Sequence, residues 1–287
     1  MNINQNVYFC PGCNQVSIKK LLYRKAGVPI IQCPICGLGK ACPEKFNVEE
    51  YYDASYFNGS RPDGYSDYLG ARDVLQDQFQ QELDLLKKLG AEGGELLEIG
   101  CAYGYFLELA QHHYKVNGLE ICEEAVADCQ ARGLAGVRHG AISKETLAPM
   151  PMVDVIVLLD VIEHLPEPRA ALEAAVSKLR PGGLLLITTG DFSSLCARMM
   201  GRHWRLMTPP QHLWYFTPRS LEQMGESLGL DLEYIDHPFK KVPLGLMVYQ
   251  FCRYLSLSPH LPSWMHRIGL PINLFDAMRV VLRKRDS

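Results

Sequence analysis

The sequence lacks any long apolar run. Hydrophobic residues make up 47% of the 287 residues, yet no run approaches the about 18 consecutive apolar residues that a membrane-spanning helix requires. Residues 1–5 carry no positive charge and lead into no apolar segment, so the sequence does not predict a secretory signal peptide. We therefore expect a cytoplasmic protein, with any membrane contact limited to the periphery.

The sequence also has no strong excess of charge of one sign. Its 29 Lys and Arg face 32 Asp and Glu, which gives a formal net charge of -3 at pH 7. A chain with this balance has no overall attraction to nucleic acid or to an anionic membrane. The composition is otherwise that of an ordinary globular protein, and the length fits one large domain or one domain with a small module.

Cysteine is abundant, and four of the ten cysteines form two C-x-x-C pairs near the N-terminus. Cys10 and Cys13 are separated from Cys33 and Cys36 by 19 residues, a spacing typical of zinc ribbons. Each pair places two thiolates on one side of a tight turn, and two such turns complete a tetrahedron around Zn²⁺. We predict a structural zinc ribbon in residues 1–45; a redox dithiol is the alternative interpretation of the same spacing.

From residue 91 onward, predicted strands and helices alternate along the chain, which indicates an α/β fold with a doubly wound parallel sheet. Residues 46–90 are predicted to form an aromatic cap and a lid helix. Within the core, residues 91–287, the apolar segment 243–272 is predicted to be an insertion near the sheet edge. The predicted strands cover residues 95–99, 115–119, 137–138, 153–159, 184–188, 231–236 and 277–282, and the predicted helices cover residues 66–89, 105–113, 122–132, 166–180 and 221–228.

The segment after the first core strand has the pattern of a ligand-binding turn. Glu98, Gly100, Ala102 and Gly104 follow one another through a strand, a small-residue turn and a helix start. Such a turn brings the backbone close to a ligand and aims helix N–H groups at it. Glu120 comes twenty residues after Gly100, just past an apolar strand, where an acid can accept hydrogen bonds from both hydroxyls of a ribose. The dinucleotide-binding pattern G-x-G-x-x-G would require glycine at position 102.

The pattern E-x-G-x-A-x-G over residues 98–104 resembles motif I of the class I S-adenosylmethionine-dependent methyltransferases. Residues 154–166 resemble the family's fourth strand and the "xxEHL" turn after it, and residues 179–183 resemble the "LkPGG" before its fifth strand. Residues 211–217 resemble the "HxxyFt" segment of a subgroup that methylates small molecules and in which a zinc ribbon often precedes the core. Residues 56–59 fit the "YFxg" stretch of the same subgroup, so the resemblance extends from about residue 8 to residue 285.

This resemblance implies a Rossmann-like class I methyltransferase fold with S-adenosylmethionine as cofactor, and it assigns the contacts of that cofactor. The methionine part of the cofactor would be lined by Glu98, Gly100, Ala102 and Gly104, and the ribose would be held by Glu120. The adenine would have Ile121 on its face and Gly140 and Ala141 near its edge. The end of the fourth strand would carry Asp160 and Val161. The family usually has glycine at the position of Ala102. An alanine there costs about 1 kcal/mol if the backbone φ is positive, and nothing if the backbone is ordinary.

Three residues in these motifs are candidates for a catalytic role on the acceptor: Glu163, His164 and His212. The two histidines have intrinsic pKa values suited to a general base, which is needed only when the acceptor loses a proton of high pKa. Glu163 and His164 together could instead hold a divalent metal ion that acidifies a hydroxyl acceptor. A structural role remains open for each residue, as a capping acid, a helix-start residue or a half-buried histidine.

The predicted function is in-line methyl transfer from S-adenosylmethionine to a small-molecule acceptor, such as a sugar, a glycan precursor, a lipid-linked intermediate or another metabolite. Such a displacement depends mainly on holding the nucleophile, the methyl carbon and the sulfur in line. The zinc ribbon, with four thiolates and no open position, would form a wall of the acceptor site or grip a carrier. The sequence predicts no particular oligomeric state.

Two other functions are compatible with the same fold. An RNA methyltransferase would use the zinc ribbon to grip nucleic acid, but residues 1–50 hold six Lys or Arg against three acids, a thin margin for phosphate binding. The turn after the fourth strand also lacks the N-P-P-[YF]-like motif common in methylation of base nitrogens. A non-catalytic scaffold that keeps the cofactor fold is disfavoured by intact Glu98, Gly104 and Glu120. Nucleic acid is therefore not the expected partner.

Overall fold

The computed structural model describes residues 7–47, 51, 72–254, 261–262 and 264–286. The "YFxg" stretch at residues 56–59 and most of the predicted aromatic cap lie outside the described residues. Phe46 and Tyr51 of that cap are described, and their ring centroids lie 5.0 Å apart. In the described ranges, no helix combines the length and the hydrophobicity needed to cross a membrane.

The N-terminal module consists of short antiparallel strands around the two cysteine pairs. Its strands are β1 (Val7–Cys10), β2 (Gln15–Ile18), β3 (Lys20–Lys25), β4 (Val28–Gln32) and β5 (Gly39–Ala41). β1 pairs with β2, whereas β3, β4 and β5 belong to a second antiparallel sheet. Each cysteine pair lies at a turn: Asn14 N–H donates to the Cys10 carbonyl at 2.9 Å, and Gly37 N–H donates to the Cys33 carbonyl at 3.0 Å.

A seven-stranded sheet forms the centre of the molecule, in the order β12-β15-β10-β9-β6-β7-β8. Its strands are β6 (Glu95–Ile99), β7 (Lys115–Glu120), β8 (Val137–His139), β9 (Val153–Leu159), β10 (Leu179–Gly190), β12 (Leu230–Asp236) and β15 (Ala277–Lys284), and the short strands β11 (Trp214–Tyr215), β13 (Lys240–Pro243) and β14 (Gly269–Ile272) lie outside it. The run from β10 to β8 is parallel, and β15 is antiparallel to both of its neighbours. The predicted α/β sheet is confirmed, with one reversed strand near its edge.

Helices cover both faces of this sheet. They are α1 (Arg72–Lys88), α2 (Tyr105–Ala110), α3 (Glu123–Ala131), α4 (Lys144–Leu147), α5 (Pro168–Lys178), α6 (Leu195–Met200), α7 (Pro218–Ser227), α8 (Leu244–Tyr254) and α9 (Trp264–Arg267), with 3₁₀ turns at Ile162–His164 and Gly201–His203. Along β9, Ile156 and Leu158 enter one hydrophobic core, and Val155 and Val157 enter the other. Because both faces are buried, β9 is apolar at almost every position, as the sequence indicates.

The stretch Pro181–Gly183 is predicted to turn the chain before a strand that begins at residue 184. The structure corrects this prediction, because β10 already begins at Leu179 and the stretch forms an irregularity within the strand. On β9 the partners of Leu179 and Leu184 are Val153 and Val155, so the additional residues of β10 bulge out of the ladder.

β12 and β15 are neighbours in the sheet, although the chain between them carries β13, α8, α9 and β14. The predicted insertion at residues 243–272 falls in this connection, and its residues 255–260 and 263 lie outside the described ranges. β13 and β14 pair antiparallel with each other rather than with the central sheet. The predicted domain boundaries at residues 45 and 90 stay predictions.

Candidate active site

The turn after β6 is packed tightly against the end of β9. Gly100, Ala102 and Gly104 have positive φ angles of 71°, 45° and 69°. A Cβ atom on Gly100 would lie 2.6 Å from Cγ2 of Val161, so this position has no room for a side chain. The packing fixes the turn at the carboxyl edge of the sheet, where open α/β sheets bind ligands.

Ala102 has the positive φ angle at which alanine is less favourable than glycine. The cost of this conformation is about 1 kcal/mol. Its N–H donates to Oε2 of Glu120 at 2.7 Å, which anchors the strained residue to the end of the next strand. Strained backbone of this kind is concentrated at ligand-binding sites, where the surrounding structure holds it in place.

Glu120, the last residue of β7, is buried and connects two loops. Its Oε2 accepts from Ala102 N–H, and its Oε1 accepts from the N–H groups of Ile121 and Cys122 at 2.8 and 2.9 Å. Burial raises the pKa of this carboxyl group, and the three backbone donors act in the opposite direction. Because a carboxylate has about four acceptor positions, three donors leave capacity for a further donor, such as a ribose hydroxyl.

Glu98 is a second buried carboxyl group at this turn, on β6. Among the described residues, its Oε2 has no hydrogen-bond partner. Burial raises the pKa of Glu98 well above its usual value, and the proximity of Cys129 and Glu120 adds to the effect. A buried polar atom without a partner costs about 1–3 kcal/mol. A polar group of a bound ligand that donates to this oxygen would remove the cost.

The loop after β8 reaches the same edge of the sheet. Gly140 N–H donates to the Glu120 carbonyl at 2.8 Å, which places the loop beside the end of β7. The Ala141 carbonyl accepts from Thr146 Oγ1 at 2.7 Å, and Ser143 Oγ caps α4 by accepting from Thr146 N–H at 3.1 Å. The structure therefore brings Gly140 and Ala141 next to Glu120.

Asp160 directly follows β9 and has a φ angle of 54°, unusual for a residue other than glycine. Its N–H points at both the carbonyl and the Oγ1 of Thr188, each at 3.0 Å, and Thr188 Oγ1 donates to Asp160 Oδ1 at 3.1 Å. These bonds fix Asp160 and the adjacent Val161 between the turn after β6 and the 3₁₀ turn at Ile162–His164.

Glu163, His164 and His212 come together, although His212 is distant in the sequence. The two imidazole centroids are 4.7 Å apart in an edge-to-face arrangement, and the three residues offer ligand atoms within 4.8 Å of one another. His164 Nδ1 donates to the Gln211 carbonyl at 2.9 Å, and Leu213 N–H donates to the Glu163 carbonyl at 2.9 Å. The three predicted catalytic residues thus form one cluster, whose donor set also suits the divalent ion considered from the sequence.

Burial keeps both imidazoles of this cluster neutral at neutral pH. It lowers the pKa of His164 to about 4. It also lowers the pKa of His212 well below its usual value, and the proximity of His164 contributes in the same direction. Neutral imidazoles can hydrogen-bond an acceptor, but with lowered pKa values they are weaker bases than an ordinary histidine.

Two further pairs at this edge are missing from the sequence-based predictions. His237 Nε2 lies 2.9 Å from Asp191 Oδ2, and the Asp276 carboxylate accepts two hydrogen bonds from the Arg205 guanidinium, at 3.0 and 2.8 Å. Asp191 and His237 come immediately after β10 and β12. A search of the sequence for polar residues just after every predicted strand, with or without a motif, would have pointed to the His237 pair. Ligand-binding residues of open α/β sheets lie at these carboxyl ends.

The four cysteines of the two C-x-x-C pairs form one cluster. Cys10 Sγ is 3.5 Å from Cys36 Sγ, Cys13 Sγ is 3.8 Å from Cys33 Sγ, and all four sulfurs lie within 4.8 Å of one another. Tetrahedral Zn–S bonds of about 2.3 Å place sulfurs about 3.8 Å apart, so the donor set fits Zn²⁺. A hydrogen bond from Cys36 lowers the pKa of Cys10 to about 5, and the same interaction raises the pKa of Cys36, so the metal-free cluster favours one shared thiolate. Metal binding requires the thiolate form of all four ligands.

β11 connects this cysteine module to the cluster of Glu163, His164 and His212. On one side, its residues Trp214 and Tyr215 pair with β5, and Leu213 O accepts from Ala41 N–H at 2.9 Å. On the other side, Trp214 Nε1 donates to the Leu165 carbonyl at 2.9 Å, next to the 3₁₀ turn that carries Glu163 and His164.

Thr217 makes a second connection between the module and the core. Its Oγ1 donates to the carbonyl of Cys36 at 2.9 Å and accepts from Ser220 N–H at 3.1 Å, which caps α7. One buried side chain therefore joins a cysteine turn, the segment after β11 and the start of a core helix.

Comparison with known proteins supports the class that the fold and the site indicate. A family described as "Methyltransferase domain" matches residues 71–235, more than half of the chain. The chain belongs to this methyltransferase family, and the expected class I S-adenosylmethionine-dependent fold is confirmed.

Individual relatives are similar over part of their length. Ubiquinone biosynthesis O-methyltransferase of Idiomarina loihiensis is 27% identical over 154 residues, which cover 50% of this chain and 63% of that protein. A probable S-adenosylmethionine-dependent methyltransferase of Mycolicibacterium smegmatis is 38% identical over 143 residues, which cover 49% of this chain and 53% of that protein. The chain thus spans less than two thirds of each. The structure of magnesium protoporphyrin IX methyltransferase from Synechocystis with bound SAH is similar in fold, with a TM-score of 0.54, 16% identity, and coverage of 83% of this chain and 98% of that chain.

Proposed function

We propose that this chain transfers a methyl group from S-adenosylmethionine to a hydroxyl group of a small-molecule acceptor. The observation that carries the proposal is the Glu120 carboxylate, which is buried at the carboxyl edge of the sheet and held by the Ala102 N–H of the turn after β6. The name of the relatives, ubiquinone biosynthesis O-methyltransferase, supports oxygen as the accepting atom. S-adenosylmethionine supplies an electrophilic methyl group on a sulfonium, and the chain must align the acceptor with it and exclude water.

The proposed cofactor site extends across the carboxyl ends of β6 and β7. The buried oxygen of Glu98 would accept a hydrogen bond from the ammonium group of the methionine part, which removes the cost of leaving that oxygen without a partner. The remaining contacts follow the sequence prediction: Gly100, Ala102 and Gly104 along the methionine part, Glu120 at the ribose, Ile121, Gly140 and Ala141 at the adenine, and Asp160 and Val161 at the end of β9.

On the acceptor side, His164 and His212 would orient the acceptor. Their lowered pKa values keep both imidazoles neutral, so each can share a hydrogen bond with a neutral hydroxyl group without burying a charge. The buried Glu163 would provide a further polar contact beside them. This role is one of positioning, which can supply most of the rate acceleration of an in-line displacement.

The cysteine module is proposed to bind Zn²⁺ through Cys10, Cys13, Cys33 and Cys36 and to form a wall of the acceptor site. Support comes from β11, which is hydrogen-bonded to the module on one side and to the segment that carries Glu163 and His164 on the other. Four thiolates fill the coordination shell of Zn²⁺, so the metal would be structural. A carrier that presents the acceptor would meet the same wall from outside.

Product formation tests the proposed function. The full-length chain, loaded with zinc, is incubated with S-adenosylmethionine and with small-molecule, lipid and RNA fractions of the source organism, and S-adenosylhomocysteine is measured by mass spectrometry. We expect product with the small-molecule or lipid fraction, and a strong decrease for Glu120→Gln. Product formed only with the RNA fraction would establish the nucleic-acid alternative, and no product with any fraction would favour a non-catalytic scaffold.

A further inference from the structure

His237 and Asp191 form a pair that the proposed roles above do not use. His237 Nε2 lies 2.9 Å from Asp191 Oδ2, and the side chains are 28% and 5% exposed, respectively. Asp191 Oδ1 accepts from both the N–H and the Oγ of Ser193, at 2.8 and 2.6 Å. The carboxylate is therefore held on both oxygens, and it holds a histidine ring that is still accessible.

The strand registers place this pair at the ligand-binding edge. One row of paired residues crosses the sheet from β12 to β9: Asp236, Arg279, Thr188 and Leu159. Asp236 directly precedes His237, and Leu159 directly precedes Asp160. The ends of β9, β10 and β12 therefore lie in one row. Asp191 extends one residue beyond the end of β10, on the same edge as the cofactor turn.

Aromatic side chains connect this pair to the acceptor-side cluster. The ring centroid of His212 lies 6.5 Å from that of Tyr215, and Tyr215 lies 5.5 Å from Phe192, the residue after Asp191. Phe192 N–H donates to the Phe216 carbonyl at 2.8 Å, which fixes the loop after β10 against the segment that follows β11. A row of buried aromatic rings therefore lies between His212 and the loop that carries Asp191.

The chemistry of the pair differs from that of the other two histidines. With Asp191 as acceptor, His237 carries its proton on Nε2, and Nδ1 carries the lone pair. A histidine oriented in this way presents the lone pair of Nδ1 to a proton donor. By contrast, burial lowers the pKa of His164 to about 4, which makes that ring a weak base.

We propose that His237, held by Asp191, accepts the proton of the hydroxyl group that receives the methyl. The proposal rests on the proposed O-methyl transfer. In the step, the hydroxyl oxygen forms a bond to the methyl carbon, the carbon–sulfur bond breaks with its electron pair going to sulfur, and the hydroxyl proton goes to Nδ1 of His237. The products are the methyl ether, S-adenosylhomocysteine and an imidazolium paired with Asp191, which later releases its proton to water.

Two variants separate proton transfer from folding. His237→Gln keeps a hydrogen-bond donor for Asp191 but has no base, and His112→Gln is the matched control because His112 is exposed at the opposite end of the sheet. With the extract fraction that accepts labelled methyl from the wild type, we expect His237→Gln to lower kcat about 100-fold or more. We expect its Kd for S-adenosylhomocysteine and its Tm to stay close to those of the wild type. Added imidazole should restore part of the activity of His237→Ala, and His112→Gln should behave as the wild type.

The ring state gives a readout that needs no acceptor. Nitrogen-15 NMR of the histidine rings should find His237 protonated on Nε2 in the wild type, and Asp191→Asn should change the Nε2 signal. A ring protonated on Nδ1 would overturn the proposal, as would full kcat in His237→Gln. If the wild type transfers no methyl group to any hydroxyl acceptor, the proposed function and this step both fail; if only the variant result is negative, the step alone fails.

Discussion

At the scale of single residues, the proposed site depends on small size at one position and on buried carboxyl groups at two others. Gly100 has no room for a side chain, Glu120 is held by backbone donors from two loops, and Glu98 is buried with an oxygen that lacks a partner among the described residues. Each of these features can be changed by one substitution with a matched control.

Gly100→Ala should destabilise the protein by about 2–5 kcal/mol. Positive φ accounts for about 1–2 kcal/mol and the contact with Val161 for about 1–3 kcal/mol. Gly90→Ala is the control, because its φ is 84° but a Cβ atom there meets nothing within 4 Å. The double variant Gly100→Ala/Val161→Ala should recover the packing part, as measured by urea unfolding. Equal losses in Gly90→Ala and Gly100→Ala would contradict the tight packing of the turn.

Glu98→Gln should make the protein more stable at high pH when no cofactor is bound. Because the folded state raises the pKa of Glu98, the protonated carboxyl contributes stability below the unfolded-state pKa, and this contribution is lost as pH rises through the folded-state pKa. Glu98→Gln cannot deprotonate at this position, so it does not lose stability as the pH rises. Urea unfolding from pH 5 to 8.5 should therefore give a flatter pH dependence for Glu98→Gln than for the wild type and for the exposed control Glu123→Gln. Identical slopes in all three would count against a buried, protonated Glu98.

The sequence identifies residues of this kind only where a local pattern marks them. Gly100, Gly104 and Glu120 stand in a known order around two predicted strands, so they are found without a structure. Asp191 and His237 are 46 residues apart in sequence and meet only because the chain returns to the sheet edge. No motif marks either residue, and the sequence points to them only through the rule that polar residues gather at the carboxyl ends of strands.

At the scale of elements, the two-residue strand β11 connects the cysteine module to the rest of the molecule. It joins the sheet of the cysteine module to the segment after β9, so the module and the acceptor-side cluster share a strand. Sequence reasoning marks residues 211–217 as a motif but does not predict a strand there, because two residues give no periodicity to detect.

Thr217→Val should weaken both zinc binding at the proposed site and the stability of the protein. It removes the hydrogen bond to the Cys36 carbonyl and the cap of α7, together worth roughly 2–3 kcal/mol. Because contacts behind a metal ligand commonly change metal affinity about 10–100-fold, chelator competition should show a loss of this order. Thr217→Ser keeps the hydroxyl group and is the control. Equal zinc affinity in the two variants would show that Thr217 does not support the site.

The longer elements could be predicted and the irregular ones could not. Apolar runs such as 153–159 give β9 with its observed bounds, because a strand buried on both faces needs apolar residues throughout. The bulge at Pro181–Gly183 escapes prediction because proline and glycine indicate a turn, whereas Leu179 and the residues from Leu184 onward both pair with β9 and keep the strand continuous. The reversal of β15 is likewise set by its neighbours and not by its own residues.

At the scale of the whole molecule, the proposed cofactor side and the proposed acceptor side are held by different parts of the chain. The turns after β6, β7 and β8 form the proposed cofactor side. The proposed acceptor side depends on the 3₁₀ turn after β9, on β11 and on the cysteine module. The class of fold follows from sequence alone, but the docking of the module on the acceptor side does not, because the paired strands lie more than 170 residues apart.

Zinc removal should therefore affect the two sides unequally. After chelation, hydrogen exchange should accelerate at the amides of Ala41 and Leu213, which bond across the boundary, while Gly100 and Ala102 keep their protection. The Kd for S-adenosylhomocysteine should change by less than about threefold. Uniform acceleration along the whole chain would mean instead that the metal stabilises the fold without any preference for the acceptor side.

The most direct measurement is transfer of labelled methyl from S-adenosylmethionine by the zinc-loaded full-length chain into a fractionated extract of the source organism, with Gly100→Ala and Glu120→Gln alongside. We predict label in the small-molecule or lipid fraction, resistant to nuclease and strongly decreased in both variants. Label that disappears on nuclease treatment, or label transfer that is unchanged in Glu120→Gln, would contradict a small-molecule methyltransferase with its cofactor at this edge of the sheet.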